Sequence, residues 1–348
     1  MTEYIDLENA QELDVFVTNH PKGHYMQTSY YGKSRGDYEW NGIMIRDSEG
    51  NIIASIALHS CPSPYIKKRL FYAPRGPVCS NAEQFRQILL AAKAYCKEHN
   101  GYLLRIDPPI LVDEDLFRQE GKRLKFRFNP KNDYSTYQPK CVYQTELAGL
   151  TEDELLCRFH PKTRYNIRLA QRRDVTIRKG GLSDIPVFYR MMEETGKRDG
   201  FQCRNAEFYI DFLCCMGDNA QMFLAQKDGQ VLGGAIAVFL GKKAWYSYGC
   251  SFSKGRENMP NYLLQWEMMR HALKCGCEIY DFRGVEGKPD IDNPHYGLHR
   301  FKQGFSARFV EYLGEMDYIL SPLSAGLIKW KRKFSSIVNY RKNRSGDR

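Results

Sequence analysis

Apolar and polar positions along the chain follow the same order of predicted elements twice. The first copy begins at Gly50 with the apolar strand GNIIASIAL, followed by the aromatic strand RLFYAPRGPV from Arg69. Helical periodicity then covers Phe85 to Lys97, and the strand YLLRIDP closes the copy near Asp107. The pattern predicts a unit of two hairpin-like strands, a helix that packs on them, and a returning strand.

The second copy repeats this order at nearly equal spacing. GQVLGGAIAV from Gly229 and KAWYSYGCSF from Lys243 supply the two strands, a helix is predicted over Asn261 to Leu273, and EIYDFRG ends the unit around Asp281. An internal repeat of a strand, strand, helix, strand unit predicts an α+β protein of two tandem domains with similar design.

Each copy is preceded by a predicted helix, over Asn9 to Asn19 in the first and Ser183 to Arg198 in the second, with Ser183 as the expected N-cap. The turn-rich stretch 132–136 lies in the predicted join between Pro130 and Leu150. We expect a first domain of residues 1–142 with 318–348, and a second domain of residues 143–317. A final helix, Pro322 to Asn339, is expected to fold back onto the first domain.

Charge narrows the class of partner. Among 348 residues, 51 Lys and Arg face 41 Asp and Glu, which gives a net charge of +10. From Lys329 onward, eight basic residues accompany a single aspartate, so a basic helix and a disordered tail are predicted. This balance favours nucleic acid, phosphorylated substrates or a cytoplasmic membrane face. The acidic N-terminal sequence lacks a signal-peptide apolar core, so a cytoplasmic location is expected.

A basic stripe lies in HPKTRYNIRLAQRR, from His160. Arg164, Arg168 and Arg172 are four residues apart, so on a helix they share one face, and Lys162 lies two residues before the first of them. Such a face can neutralise phosphates. A solvated basic face explains the spacing equally well.

The segment HYGLHRFKQGF, from His295, contains the pair Phe301-Lys302. A lysine held beside an aromatic ring is a candidate for stabilising a developing negative charge, although a plain surface lysine fits the same letters. His295 and His299 have the spacing of metal ligands but lack the accompanying glutamate, which favours structural histidines and no metal. Asp107 ends a buried strand, where it either caps structure or orients a substrate amine.

The element order is also that of acetyl-CoA N-acetyltransferases, which bind pyrophosphate at a glycine-spaced turn before the central helix. The corresponding stretches are RGPVCS from Arg75 and KGRENMPN from Lys254, and neither supplies that turn. CoA is therefore disfavoured as a cofactor, and no other cofactor is predicted.

Segments across nearly the whole chain, in the right order, resemble the Fem aminoacyltransferase family. They are YAPRGP from Tyr72, RIDP from Arg105, QP from Gln138, HPKTRYNIRLAQRRDVTI from His160, NYLLQWE from Asn261, YDFRG from Tyr280 and FKQGF from Phe301. The resemblance implies two tandem acetyltransferase-like domains with mixed sheets flanked by helices. It implies an enzyme of cell-wall synthesis that moves an amino acid from aminoacyl-tRNA to the amine of the third residue of a peptidoglycan stem peptide. The acceptor is UDP-MurNAc-pentapeptide or the lipid-linked form at the membrane, lipid II. The long helical arm of some members is missing here.

The resemblance also implies roles for single residues. Lys302 is expected to stabilise the transition state beside Phe301, and Asp107 matches an aspartate considered as a base. Precursor binding is expected mostly in the first domain, where the resemblance implies contacts from Arg35 or Lys33. From the second domain it implies contacts from Arg204, Phe208, Tyr209 and Tyr248. The tRNA contacts we expect are Lys162, Arg164, Arg168 and Arg172.

Two other functions stay open on the residues alone. One is an N-acyltransferase of the same fold that uses acyl-CoA or an acyl carrier. The other is an RNA-binding protein without catalysis, which would explain the basic stripe and the basic end of the chain but not Phe301-Lys302.

Overall fold

The computed structural model describes residues 1–131, 136–328 and 330–331. The chain divides into two compact units. The first comprises Met1–Gly32, Gly36–Pro130 and the described residues from Leu313 onward. The second comprises Lys33–Arg35 and the described residues from Lys131 to Tyr312.

The strands, in chain order, are β1 Thr2–Ile5, β2 Glu39–Arg46, β3 Ile52–Pro62, β4 Arg69–Ala73, β5 Val78–Cys79, β6 Gly101–Ile106, β7 Arg127–Phe128, β8 Cys141–Glu146, β9 Thr176–Gly180, β10 Ala220–Lys227, β11 Gln230–Leu240, β12 Lys243–Ser251, β13 Ile279–Val285, β14 Arg308–Glu311 and β15 Met316–Ile319.

The helices are α1 Gln11–Asn19, α2 Ser29–Lys33, α3 Ala82–Glu98, α4 Asp115–Arg123, α5 Glu152–Arg158, α6 Pro161–Arg172, α7 Ile185–Asp199, α8 Ala206–Met216, α9 Pro260–Lys274 and α10 Tyr296–Gln303. A further helical segment follows β15 at residues 322–328 and 330–331. Within the described ranges, no helix has both the length and the apolar composition needed to cross a membrane.

Each unit contains one mixed sheet. The first has the order β1-β2-β3-β4-β6-β15-β7, with β5 paired to β3, and the second has the order β14-β8-β13-β12-β11-β10-β9. The parallel pairs are β4 with β6 and β12 with β13, and in each case a long helix, α3 or α9, makes the crossover. The predicted α+β fold of two repeated units with mixed sheets flanked by helices is confirmed.

The crossover helices form where their apolar positions share one face. Asn81 caps α3 by accepting a hydrogen bond from the Gln84 backbone N–H, and Phe85, Leu89, Ala92 and Cys96 are buried against the sheet. In the second unit, α9 begins with Pro260, whose fixed φ suits a first helical position. The buried side chains of α9 belong to the core that also contains Phe159 from the α5 end and Phe305 after α10.

Several sequence-based boundaries need correction. The boundary at 142/143 cuts β8, which belongs wholly to the second sheet, and the boundary at 317/318 cuts β15, which belongs to the first. Hydrogen-bonded strand pairing therefore sets the unit limits. The strand from Arg69 stops at Ala73, where Pro74 cannot donate to the ladder.

The start of α7 also differs from the prediction. Ser183 lies inside a short 3₁₀ turn, Leu182–Asp184, and so is not the N-cap of the helix. The Asp184 side chain instead accepts a hydrogen bond from the Gly181 backbone N–H and pairs with Arg178, which holds the turn in place.

The C-terminal segment packs on the first unit through Ile328, which is buried against Leu70 and Tyr102. The predicted helix over Pro322 to Asn339 is thus present at 322–328 and 330–331, and its remainder lies outside the described residues. The predicted turn at 132–136 also falls outside them, apart from residue 136, and so does most of the basic tail.

Candidate active site

A break in the second sheet takes two residues of β13 out of its ladder with β8. The antiparallel pairing of β13 with β8 shifts register between Asp281 and Gly284, so Phe282 and Arg283 lie outside the ladder. Arg283 also has a left-handed backbone conformation, with φ of 61°. Such bulges turn carbonyl groups away from the sheet and recur beside active sites.

Lys302 satisfies these carbonyls. It lies in the last turn of α10 and is 4% exposed, and its Nζ donates to the carbonyl oxygens of Phe282, Arg283 and Gly284 at 2.9, 3.1 and 2.6 Å. An ammonium has three N–H donors, so these bonds use all of them. The sequence therefore identified a buried, fixed lysine, but its donors point into the protein backbone.

Burial lowers the pKa of Lys302 to about 7, because the charged form loses its hydration, and nearby Asp281 opposes this shift. Lys243 shares that carboxylate, and burial lowers its pKa to about 8. Asp281 itself accepts hydrogen bonds from the Gln144 side chain at 2.9 Å and the Arg283 backbone N–H at 2.6 Å. The buried Asp281 carboxylate thus interacts with two lysines, the buried Lys302 and the half-buried Lys243.

Phe301 faces in a different direction from its neighbour Lys302. Its ring lies 5.0 Å from that of Tyr262 and 5.3 Å from that of Phe305, measured between centroids. Phe301 and Tyr262 line an open pocket of about 390 Å³. Adjacent positions in α10 therefore supply a pocket wall and a buried charge.

The pocket combines cations with aromatic rings. Its walls come from the start of α6, from α9 and from α10, and its lining residues are His160, Lys162, Thr163, Tyr262, Tyr296, Gly297, Arg300, Phe301, Gln303 and Gly304. A basic side chain can neutralise phosphate, and an aromatic face can stack on a base. The pocket is suited to a nucleotide end.

Close packing of α6 on the end of α10 holds the pocket in shape. The His160 backbone N–H donates to the Gly304 carbonyl at 2.9 Å. A Cβ at Gly304 would lie 2.3 Å from Thr163 Oγ1, so only glycine allows this approach. Behind α10, His299 is fully buried, with Nδ1 3.1 Å from the Tyr143 hydroxyl and Nε2 3.1 Å from the Glu286 carbonyl. These bonds fit the structural role expected for this histidine.

The predicted basic stripe separates into two kinds of residue. Arg168 and Arg172 are exposed on α6, and Arg172 lies over the exposed ring of Tyr165 at 5.7 Å. Arg164 is half-buried, and its Nη1 donates to the carbonyls of Cys157 (3.0 Å) and Phe159. Arg164 therefore caps the end of α5, whereas Lys162, Arg168 and Arg172 remain available to a phosphate backbone.

The predicted precursor contacts form an aromatic cluster in the second unit. The Arg204 guanidinium lies 5.3 Å from the Phe208 ring, and Tyr248 packs against both Phe208 and Tyr209 at 5.7 and 5.4 Å between centroids. Tyr209 is fully buried, whereas Arg204 is exposed. The cluster therefore presents one guanidinium and half-buried aromatic faces to solvent.

Lys33 and Arg35 belong to the second unit by their contacts, although their neighbours in sequence belong to the first. Lys33 is exposed, and its charge opposes the rise that burial causes in the pKa of Cys215, on α8. The expectation that Arg35 grips the precursor within the first domain therefore needs correction, because this basic segment associates with the second unit.

Asp107, in the first unit, is fully buried after the end of β6. It accepts hydrogen bonds from the Tyr72 hydroxyl and the Arg75 backbone N–H, both at 2.5 Å. Burial raises the pKa of Asp107 to about 6, which Arg75 and Tyr72 partly oppose. Both carboxylate oxygens thus hold the turn that follows β4, which is the structural alternative raised by the sequence.

Tyr262, Arg300, Lys243 and Asp281 were not predicted as site residues. Asp281 carried a signal, since it ends the repeat motif as Asp107 does. Arg300 immediately precedes Phe301-Lys302. Tyr262 lies in the motif NYLLQWE but had no predicted role, and Lys243 had no signal beyond its place in a strand. Their roles depend on which faces of α9 and β12 turn toward α10 and β13.

Comparison with known proteins agrees with this architecture. The tandem GNAT protein from the clavulanic acid biosynthesis pathway aligns with a TM-score of 0.56 and 8% identity over 92% of this chain and 99% of its own, a likeness of fold alone. The molecule thus has a tandem acetyltransferase-like fold.

Closer matches define the family. The FemAB family model matches residues 9–229 and 225–333. The crystal structure of FemX aligns with a TM-score of 0.84 and 25% identity, over 94% of this chain and 99% of its own. Lipid II:glycine glycyltransferase of Staphylococcus epidermidis is 27% identical over 391 aligned residues, which cover 92% of this chain and 93% of that protein. The chain belongs to the FemAB family, which confirms the resemblance found in the sequence.

Proposed function

We propose that this protein is an aminoacyltransferase that builds the interpeptide bridge of peptidoglycan. It moves an amino acid from the 3′ end of an aminoacyl-tRNA to the side-chain amine of the third stem-peptide residue. Its staphylococcal relatives are named for glycine transfer to lipid II, which favours glycine as the donated residue and the lipid-linked precursor over UDP-MurNAc-pentapeptide.

The observation that carries the proposal is the pocket beside Lys302. Lys162 and Arg300 bring positive charge to a cavity walled by Tyr262, Tyr296 and Phe301. A tRNA 3′ end offers phosphates and unpaired bases, which are the complementary groups. Exposed Arg168 and Arg172, farther along α6, extend this basic surface toward the rest of the acceptor stem.

The acceptor amine attacks the ester carbonyl carbon, and a C–N bond forms as the C–O bond to ribose breaks. The ribose hydroxyl leaves with the proton that the amine gives up. Because the ester is already activated, the enzyme contributes chiefly by holding the two groups in attack geometry and stabilising the oxyanion.

Lys302 contributes to this stabilisation as a fixed positive charge. Its three donors are held by the carbonyls of residues 282–284, so it acts through its field in a buried environment, where charge interactions are strong. Phe301 forms the apolar wall against which the ester lies. Arg204, with Lys33 or Arg35, binds the precursor phosphates, and Phe208 and Tyr248 form the adjacent wall, with Tyr209 buried against them.

Mass spectrometry of lipid II incubated with the protein and glycyl-tRNA tests the proposal. We expect lipid II to gain the mass of one or more glycine residues, and uncharged tRNA or an acyl-CoA donor to give no product. Parallel reactions with UDP-MurNAc-pentapeptide and with total charged tRNA identify the preferred acceptor and donor. Intact lipid II after incubation with every charged tRNA would refute the proposed transfer.

A further inference from the structure

The C-terminal helical segment has one face buried and the other uncovered. Ile328 is 3% exposed against Leu70 and Tyr102 of the first unit. On the other side, Leu323 is 90% exposed, Leu327 42% and Trp330 56%. These three residues are spaced i, i+4, i+7, so they form one apolar stripe along the helix. We call Leu323, Leu327 and Trp330 the apolar stripe.

Lysine side chains lie near the helix that carries the apolar stripe. Lys331 Nζ lies 3.5 Å from the Tyr65 carbonyl, in a loop that also contains exposed Lys67 and half-buried Lys68. In the sequence from Lys329 onward, eight basic residues accompany one aspartate, and Phe334 and Ile337 continue the i, i+4, i+7 apolar spacing. An apolar helix face with lysines nearby, in a stretch of sequence with a large excess of lysine and arginine, is the pattern of segments that lie on membrane surfaces.

We propose that the apolar stripe and its surrounding lysines dock the first unit on an anionic lipid bilayer. The leucines enter the boundary between headgroups and acyl chains, and tryptophan is a residue enriched at that interface. The lysines attract anionic headgroups. Nucleic acid would use the positive charge but would leave Leu323 in water, so the combination favours lipid.

Membrane docking goes beyond the proposed function. It rests on that function only because lipid II, the proposed acceptor, is held in a bilayer. Vesicle binding is measured without tRNA or transfer, so the two proposals fail separately. The structure itself supplies the reporter. Trp330 is the exposed member of four tryptophans, since Trp40, Trp245 and Trp266 are 4%, 3% and 6% exposed.

The experiment is co-sedimentation of the full-length protein with vesicles of phosphatidylglycerol and phosphatidylcholine, or of phosphatidylcholine alone. We expect binding to the anionic vesicles that weakens with added salt, and quenching of tryptophan fluorescence by brominated acyl chains. Leu323→Gln/Leu327→Gln should bind about tenfold more weakly, because two apolar side chains no longer enter the bilayer. The matched control Leu182→Gln/Ile291→Gln changes two exposed apolar residues of the second unit and should bind as the unaltered protein does.

Three results would overturn the proposal. One is an unaltered protein that stays in the supernatant with anionic vesicles at low salt. Another is a Leu323→Gln/Leu327→Gln variant, shown to be folded by circular dichroism, that binds with unchanged affinity. The third is an unaltered protein that binds no vesicles and is dimeric, together with a Leu323→Gln/Leu327→Gln variant that is monomeric. That result would assign the apolar stripe to contact with a second copy of the chain.

Discussion

The strand that closes the repeat keeps a continuous register with its antiparallel partner in the first unit and loses it in the second. In the first, β6 pairs with β15 in continuous register from Leu103 to Ile106. In the second, β13 pairs with β8 on both sides of a shift that leaves Phe282 and Arg283 out of the ladder. The same repeat thus produces a continuous antiparallel ladder in the first unit and, in the second, a row of carbonyls that the Lys302 ammonium satisfies.

The two aspartates of the repeat differ for the same reason. Asp107 lies beyond the end of β6, and its oxygens accept hydrogen bonds from Tyr72 and Arg75. Asp281 lies inside β13 beside two lysines, the half-buried Lys243 and the buried Lys302. Asp107 holds a turn beyond a continuous ladder, whereas Asp281 lies beside lysines with lowered pKa values, and groups with perturbed pKa values cluster at functional sites.

The largest expected effect comes from removing the cation at the bulge. Lys302→Met should lower kcat by about 10²–10³ if the charge stabilises the oxyanion. It should also lower the free energy of unfolding by at least about 3 kcal/mol, because three buried carbonyls lose their donor. Steady-state kinetics and urea unfolding measure the two effects.

The first unit offers a matched control for this substitution. Lys93 is half-buried on α3, and its Nζ donates to one carbonyl, that of Leu124, at 3.3 Å. Lys93→Met should cost about 1 kcal/mol of stability and leave kcat unchanged. A Lys302→Met enzyme with near-normal kcat would reduce Lys302 to a structural residue and make the two units alike.

The protonation state of Lys302 gives a second test. If the ammonium is the active form, the ratio of kcat for the unaltered enzyme to kcat for Lys302→Met falls as pH rises through about 7. Taking the ratio cancels the ionisation of the acceptor amine, which both enzymes share. A ratio that rises with pH over the same range would instead make the neutral amine a general base.

The buried carboxyl of Asp107 in the first unit predicts a pH effect on stability. The folded-state pKa of Asp107 is raised from 3.8 to about 6, so this group stabilises the fold at low pH, and its contribution is lost as pH rises through about 6. The unfolding free energy relative to Asp107→Asn should therefore fall by about 2–3 kcal/mol between pH 4 and pH 7. Tyr72→Phe should move the midpoint to higher pH, because the hydroxyl stabilises the carboxylate. A difference that stays constant with pH would remove the carboxylate from this role.

Precursor binding tests whether basic residues of the second unit bind the phosphates of the precursor. Arg204→Gln or Arg35→Gln should weaken precursor binding by about 1.5–3 kcal/mol, the range for a charged hydrogen bond. Arg123→Gln, on the surface of the first unit, is the control and should bind normally. Calorimetry with wild-type affinity in both second-unit variants would exclude them from the site.

The smallest effects should come from the basic stripe. Arg168→Gln/Arg172→Gln should raise KM for aminoacyl-tRNA. The slope of log KM against log salt concentration should decrease by up to about 2, close to one for each lost phosphate contact. Arg164→Gln should instead destabilise the protein, since it caps α5. An unchanged KM and salt slope for the double variant would leave the stripe as a solvated face.

Sequence patterns alone determined the helices and strands in which the apolar spacing is consistent over several turns or along the strand. Apolar spacing located both crossover helices and the strands around them, because burial of one face requires that spacing. The repeat predicted two similar sheets, and the ordered motifs identified the family. The pair Phe301-Lys302 was singled out, as were the exposed arginines of α6.

Tertiary structure decided what single side chains do. Whether Lys302 faces solvent, pocket or backbone depended on the bulge in β13, which local sequence does not encode because it arises from pairing with distant β8. For the same reason Arg164 became a helix cap, Lys33 joined the second unit, and Tyr262 came to face Phe301. Sequence periodicity specifies which face of an element is buried, but only long-range packing specifies which atoms meet there.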